Sequence, residues 1–148
     1  MKRGKITILN FHPEPLSKKL TRQIEEELGR IVVEINVNFS INTMKYTYAQ
    51  VLTILDKLNI KELPTDVVFH LPGLPTGALY LVIDYYARTG MFPIILELVR
   101  DSKKRKDWVF GQLRDLNLEI TTTSQNPKRS FHNAIPDREG KKSIEDEI

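Results

Sequence analysis

The alternation of β-like and helical segments is the feature that most restricts the fold of this 148-residue chain. Four short segments are rich in Ile, Val, Leu and Phe, and three others carry apolar residues at helical spacing. In chain order they predict strands at residues 5–11, 31–37, 67–71 and 92–99 and helices at residues 17–28, 47–58 and 78–88. The order β-α-β-α-β-α-β is typical of a parallel sheet with helices on both faces.

Right-handed crossovers leave few strand orders for such a chain, and we expect the order 2-1-3-4. Two further β-like pieces, Trp108–Phe110 and Leu116–Thr121, predict a C-terminal antiparallel hairpin at one edge of the sheet. Residues 1–121 would form this single α/β domain. Residues 122–148 have few apolar side chains and mixed charge, which predicts a polar, flexible tail.

Composition excludes several classes of protein. The absence of cysteine excludes a disulfide framework and thiolate metal sites, and the three histidines are scattered, so we expect no metal and no cofactor. The net charge of +3 is too mild to indicate duplex nucleic acid as a partner. No segment approaches the ~20 apolar residues of a membrane-spanning helix, and none has the core of a signal peptide. We therefore expect a cytoplasmic protein with no membrane partner.

The order 2-1-3-4 creates a topological switch point between the first and third strands, where ligands bind at the carboxyl ends of strands. The loops 10–13 and 72–77 would flank it. Pro75 suits a first helical turn, and the free N–H groups there, with the Thr76 hydroxyl, would bind phosphate. A βα turn without a ligand is the open alternative. The basic run Arg100–Lys106 would reach the same edge, although such runs are also typical of solvated turns.

Single residues near this edge have structural alternatives as well. Asn10 can satisfy loop backbone groups, as Asn does in many turns. His12, fixed before Pro13, is the best acid–base candidate but can also face solvent. His70, near the end of a buried strand, is typical of a hydrogen-bonded core histidine. The sequence has no standard nucleotide-binding fingerprint, nucleophile elbow or obvious carboxylate pair, which disfavours classical dehydrogenases, kinases and hydrolases.

Three short motifs carry a resemblance to a known family. They are Ile8-Leu9-Asn10-Phe11-x-Pro13, Leu71-Pro72-Gly73-Leu74 and Gly90-x-Phe92-Pro93-Ile94. Together they resemble small stand-alone proteins of type III CRISPR antiviral loci. Those proteins are similar to single-domain versions of the CRISPR-associated Rossmann fold (CARF), the sensor module for cyclic oligoadenylates. The resemblance covers residues 5–99 and implies a Rossmann-like version of the sheet described above.

The resemblance implies a homodimer that binds cyclic oligoadenylate, specifically cyclic tetra-adenylate, across its two-fold axis; assembly beyond a dimer stays open. Sequestration of this second messenger would lower signalling, whereas a metal-independent ring nuclease would cleave it with His12 as the catalytic residue. We favour sequestration because His12 is the only good acid–base candidate. A non-catalytic protein-interaction module is the third alternative. The implied ligand-binding residues are Asn10, Phe11, His12, Pro72, Gly73, Leu74, Thr76 and Gly77.

Overall fold

The fold is seen in a computed structural model that describes residues 3–124. The four strands and three helices expected from the alternating pattern are all present, and one further strand and one further helix follow them. The elements are β1 (Lys5–Asn10), α1 (Lys18–Leu28), β2 (Ile31–Asn36), α2 (Thr47–Lys57), β3 (Val68–His70), α3 (Pro75–Thr89), β4 (Ile94–Arg100), β5 (Trp108–Asp115) and α4 (Leu116–Ser124).

The strand order is β2-β1-β3-β4-β5, which confirms the predicted order 2-1-3-4 for the parallel part of the sheet. The first four strands pair in parallel, and β5 is antiparallel to β4. The register places Asn10 opposite both Asn36 and His70. Because these residues end β1, β2 and β3, their side chains meet at one edge of the sheet.

An antiparallel pair at the C-terminal edge is confirmed, but it is formed by β4 and β5 and not by the two predicted pieces. The prediction of a strand at Leu116–Thr121 is wrong. Those residues lie in α4, where the Thr121 hydroxyl donates to the carbonyl of Asn117 at 2.8 Å. The α/β unit ends at Asp115, so the expected boundary after Thr121 falls inside α4. Residues 125–148 of the predicted tail lie outside the described residues.

Helix ends follow the sequence signals. The Ser17 hydroxyl accepts a hydrogen bond from the Leu20 N–H at 3.1 Å, which caps α1. Gly29 and Gly90 end α1 and α3 with φ of 64° and 77°, a left-handed conformation that other residues adopt at a cost. Pro75 occupies the first turn of α3, so this helix begins three residues before the predicted residue 78. A proline fits there because the first N–H groups of a helix have no partner within it.

The core consists of one layer on each face of the sheet. Leu20 and Ile24 of α1 pack on the first face, and the buried members of that cluster are Ile6, Ile8, Leu20, Ile24, Val68 and Leu96. On the second face the ring of Phe69 contacts those of Phe11 and Tyr85, each at 4.9 Å between centroids. The alternation of Val68 and Phe69 places α1 on one face and α3 on the other. Between residues 3 and 124, no helix is long and apolar enough to cross a membrane.

Candidate functional site

The carboxyl ends of β1 and β3 form the switch point of the sheet. The two strands are parallel neighbours, and the Phe11 N–H donates to the His70 carbonyl at 3.0 Å just beyond their pairing. After β1 the chain enters α1, and after β3 it enters α3 on the opposite face. The turns near residues 10 and 75 therefore leave the same edge, the position where α/β sheets bind ligands.

A groove with a volume of about 810 Å³ opens at this edge. We call it the α1 groove because the beginning of α1 forms one wall. The Gln23 side chain accepts a hydrogen bond from the Phe110 N–H at 3.0 Å and ties this wall to β5. The lining residues are His12, Glu14, Pro15, Leu16, Ser17, Lys19, Leu20, Gln23, His70, Leu71, Ile95, Leu96, Glu97, Leu98, Val99, Lys106, Asp107, Trp108 and Val109.

Among the predicted ligand-binding residues, His12 lines the α1 groove and the others do not. Asn10 and Phe11 are buried, the former beside His12 and the latter among aromatic rings of the core. Gly77 is buried at the start of α3, where a Cβ atom would lie 3.0 Å from the Phe39 ring. Of the remaining predicted residues, Pro72, Gly73 and Leu74 lie in the turn before α3, and Thr76 lies in the first turn of that helix. The expected phosphate site at the start of α3 is thus separate from the groove.

His12 also borders a second hollow of about 580 Å³ on the side of β2. Its other lining residues are Pro13, Pro15, Asn36, Val37, Asn38, Phe39 and Ser40. Phe39 connects this second hollow with the start of α3. Its ring meets that of Phe11 edge-on at 5.9 Å and also covers Gly77. The imidazole of His12 therefore stands between two concave surfaces.

Asn10 holds this edge together through its side chain, which is fully buried. Its Nδ2 donates to the Glu14 carbonyl at 2.9 Å and to Glu34 Oε2 at 2.7 Å. Its Oδ1 accepts from the His12 N–H at 2.9 Å and lies 2.9 Å from His70 Nδ1. Because both amide hydrogens and the oxygen are engaged within the protein, Asn10 positions the residues of the groove instead of facing a ligand.

Glu34 anchors the loop between β1 and α1. The same oxygen that binds Asn10 accepts a hydrogen bond from the Leu16 N–H at 2.9 Å. The sequence shows Glu34 only as an acidic residue in the middle of a strand. Its side chain lies on the face of β2 that α1 covers, and the alternation of that strand is the signal that could have placed it there.

His70 and His12 form a stacked pair at the floor of the groove. Their ring centroids are 5.4 Å apart and the rings are inclined by 22°. Burial lowers the pKa of His70, and the neighbouring His12 lowers it as well, while Glu34 acts in the opposite direction. His70 is thus hydrogen-bonded, as expected, but it also lines the groove. The sequence alone did not identify it as part of the site.

The basic turn between β4 and β5 forms the rim of the groove. The Arg100 guanidinium lies 3.9 Å from the centroid of the Trp108 ring and donates to the carbonyls of Arg105 and Lys106 at 3.3 and 3.2 Å. These contacts fix the turn and leave the Lys106 side chain exposed at the groove. The turn therefore adds positive charge to one side of a largely apolar opening.

Residues 3–124 bring together no group of three side chains suited to hold a metal ion. Comparisons with protein-family models, with curated proteins and with solved structures find no match to this chain. The chemistry of the α1 groove consists of the imidazole pair, the lysines 19 and 106, an apolar wall and three carboxylates, those of Glu14, Glu97 and Asp107. The Asp107 carboxylate lies 4.0 Å from the Lys19 ammonium.

Proposed function

We propose that this protein binds a cyclic oligoadenylate, specifically cyclic tetra-adenylate, and lowers type III CRISPR signalling by sequestering it. The observation that carries the proposal is the α1 groove at the switch point of the sheet, with the basic turn on its rim. The resemblance of the first and third strand ends to CARF-like proteins supplies the class of ligand. A homodimer is part of the proposal.

The groove of each chain is large enough to hold half of such a ring. Its volume of about 810 Å³ falls within the ~300–1,000 Å³ of ordinary small-molecule sites. Two identical grooves related by a two-fold axis would divide a ring of four nucleotides into two equal halves. The proposed stoichiometry is therefore one ring for two chains.

The lining residues support binding of an adenine nucleotide by two kinds of contact. Leu16 and the half-exposed Trp108 ring, on which Arg100 stacks, offer an apolar surface for a base. Lys106 offers positive charge to phosphates, at about 1 kcal/mol for an exposed contact in water and less in salt. Lys19 lies 4.0 Å from the Asp107 carboxylate and would contact a phosphate beside that ion pair. Sequestration requires only such binding contacts.

A second candidate function is cleavage of the same ring, and the stacking of His70 on His12 favours it. Two imidazoles can supply the general base and the general acid that attack by a ribose 2′-hydroxyl requires. Such cleavage would break the bond between phosphorus and the 5′-oxygen and leave a 2′,3′-cyclic phosphate. Incubation with the ring followed by chromatography separates the two functions, because recovery of intact ring supports sequestration and linear di-adenylates support cleavage.

Thermal unfolding with a panel of nucleotides tests the proposal. Cyclic tetra-adenylate at about 100 times its Kd should add ~2.7 kcal/mol to the free energy of unfolding, and a linear tetra-adenylate should add less. Lys106→Glu should weaken binding, because it reverses a charge at the groove. Lys57→Glu is the matched control, because Lys57 is exposed at the end of α2 and does not line the groove.

Two results would contradict the proposal. A panel of cyclic and linear adenylates that leaves the unfolding temperature unchanged would favour the protein-interaction module. Equal weakening of ring binding by the Lys57 and Lys106 variants would show that general charge, and not the groove, attracts the ligand.

A further inference from the structure

The orientation of the Asn10 amide follows from its neighbours. Nδ2 faces the Glu14 carbonyl and the Glu34 carboxylate, which both accept hydrogen bonds. Oδ1 faces the His12 backbone N–H, which can only donate. A flipped amide would place an NH2 group against this N–H and an oxygen against two acceptors. The arrangement therefore fixes Oδ1 as the atom that faces His70.

The fixed amide determines which nitrogen of His70 carries the hydrogen. His70 Nδ1 lies 2.9 Å from Asn10 Oδ1, and an oxygen acceptor requires a donor at that distance. Nδ1 is therefore protonated, and in the neutral ring Nε2 keeps its lone pair. Burial of His70 favours this neutral ring. His70 thus presents a hydrogen-bond acceptor.

His12 has the opposite arrangement. Its Nδ1 accepts a hydrogen bond from the Glu14 N–H at 3.4 Å, a long bond whose donor is a backbone amide. An accepting Nδ1 carries no hydrogen, so the hydrogen of this ring is on Nε2. The stacked pair at the floor of the groove therefore combines one acceptor, His70 Nε2, with one donor, His12 Nε2–H.

We infer that this pair recognises a ribose 2′-hydroxyl together with the adjacent 3′-phosphate. The hydroxyl donates to His70 Nε2, and a phosphate oxygen accepts from His12 Nε2–H. The inference rests on the proposed function in taking a nucleotide as ligand, and it adds the group by which the site selects ribonucleotides over deoxyribonucleotides. Recognition in this form does not depend on whether the ligand is held or cleaved.

The distribution of charge and apolar surface favours the sugar and phosphate over the base at this position. Lys19, which pairs with Asp107 at 4.0 Å, lines the groove in the first turn of α1, where helix geometry also favours an anion. Leu16 and the exposed ring of Trp108 also line the groove and offer apolar surface for the base. The 6-amino group and a ring nitrogen of adenine also combine a donor with an acceptor, so the test includes a base analogue.

The assignment of hydrogens is tested without a ligand. Long-range ¹⁵N–¹H NMR spectra of the imidazoles at pH 7.5 report which nitrogen is protonated. We expect Nδ1 to be protonated and Nε2 to be unprotonated in His70, with the reverse in His12. A His70 ring protonated on Nε2 would overturn the inference, because both imidazoles would then present donors and the pair would have no acceptor for the ribose hydroxyl.

Ligand selectivity is tested with adenosine 3′-monophosphate and its 2′-deoxy counterpart. They differ only in the hydroxyl, and neither has a nucleoside leaving group, so cleavage cannot distort the comparison. We expect the deoxy compound to bind about five- to tenfold more weakly, the effect of one hydrogen bond to a desolvated acceptor. Equal affinities would overturn the inference. Purine riboside 3′-monophosphate, which lacks the 6-amino group, is the base analogue. If it binds more weakly while the deoxy compound binds as well as the ribose compound, the histidine pair recognises the base and the inference is wrong.

Substitutions connect the selectivity to His70. His70→Phe keeps a flat ring for stacking but removes the acceptor, so the affinity ratio of the two mononucleotides should fall to about one. His70→Gln retains an acceptor oxygen and should keep part of the preference. Tyr80→Phe, which removes a hydroxyl from α3 outside the groove, is the control and should leave the ratio unchanged. An undiminished ratio in His70→Phe would overturn the assignment.

Failure of this inference is distinguishable from failure of the proposed function. A cyclic tetra-adenylate that binds no better than its all-2′-deoxy form would refute the inference and leave sequestration intact. Selective binding of the ribose mononucleotide, without binding of any cyclic oligoadenylate, would refute the proposed ligand and retain the ribose site.

Discussion

Replacement of Asn10 by Ala should be among the most destabilising single changes near the groove. The side chain takes part in four hydrogen bonds of 2.9 Å or less, one of them with the Glu34 carboxylate. At about 1 kcal/mol for each neutral bond and somewhat more for the charged one, their loss amounts to ~4–5 kcal/mol. Water that enters the vacated space offsets a part, so we expect a loss of ~3–5 kcal/mol in the free energy of unfolding.

Urea denaturation monitored by circular dichroism measures this loss. Asn36→Ala is the matched control, because Asn36 ends the neighbouring strand, is exposed, and makes only a 3.4 Å contact with Asn10. The control should lose less than ~0.5 kcal/mol. If the two variants differ by less than ~1 kcal/mol, the network around Asn10 does not have the energetic role assigned to it.

Three further predictions concern other parts of the chain. Gly111→Ala should lower the free energy of unfolding by ~1–2 kcal/mol in urea, because its Cβ would lie 3.0 Å from the Glu97 carbonyl at the bulge between β4 and β5; an unchanged midpoint would contradict this. The pKa of His70 is lowered in the folded protein, so just below pH 6.5 the unfolded chain binds more protons than the folded one. The stability contributed by neutral His70 is therefore complete above pH 6.5 and declines as the pH falls through the folded pKa. Urea titrations from pH 7.5 to 5 should show a smaller decline in His70→Phe than in the unchanged protein, and equal declines would oppose the assignment. Affinity for cyclic tetra-adenylate should fall as salt rises from about 50 to about 500 mM, and Lys106→Glu should reduce that dependence, whereas a salt-independent Kd would exclude a role for the rim cations.

The parallel part of the fold was predictable because its signals are local and repeated. Ser17 and Gly29 mark both ends of α1, and Gly90 marks the end of α3. Four β-like segments alternating with helices leave few strand orders, and the order 2-1-3-4 was among the simplest. Such patterns depend on residues close in sequence, so they need no knowledge of distant contacts.

The region after β4 was not predictable in the same way. Leu116, Leu118 and Ile120 alternate with polar residues, a pattern that favours a strand, yet they lie in α4. In β5, Gln112 to Asp115 continue the strand because they pair with β4. Which segment pairs with an edge strand depends on long-range register and on a bulge, and neither leaves a clear mark in a single sequence.

The sequence predicted a site at the edge where the structure has the α1 groove, but with a different set of neighbouring residues. His12 lines the groove, whereas the predicted residues of loop 72–77 lie outside it. His70 could have been found from the alternation of β3, since it shares a face with Val68 and is in register with Asn10. The contributions of Lys19 and Trp108 depend on how α1 and β5 approach each other, which the sequence does not specify.

Isothermal titration of the 148-residue chain with cyclic tetra-adenylate, followed by chromatography of the ligand, tests the central proposal most directly. Saturation at half a ring per chain, with the ring recovered intact, is the result that sequestration by a two-fold dimer predicts. Absence of binding by any cyclic oligoadenylate would contradict the proposed ligand. Recovery of linear products bearing 2′,3′-cyclic phosphates would replace sequestration with cleavage at the His12–His70 pair.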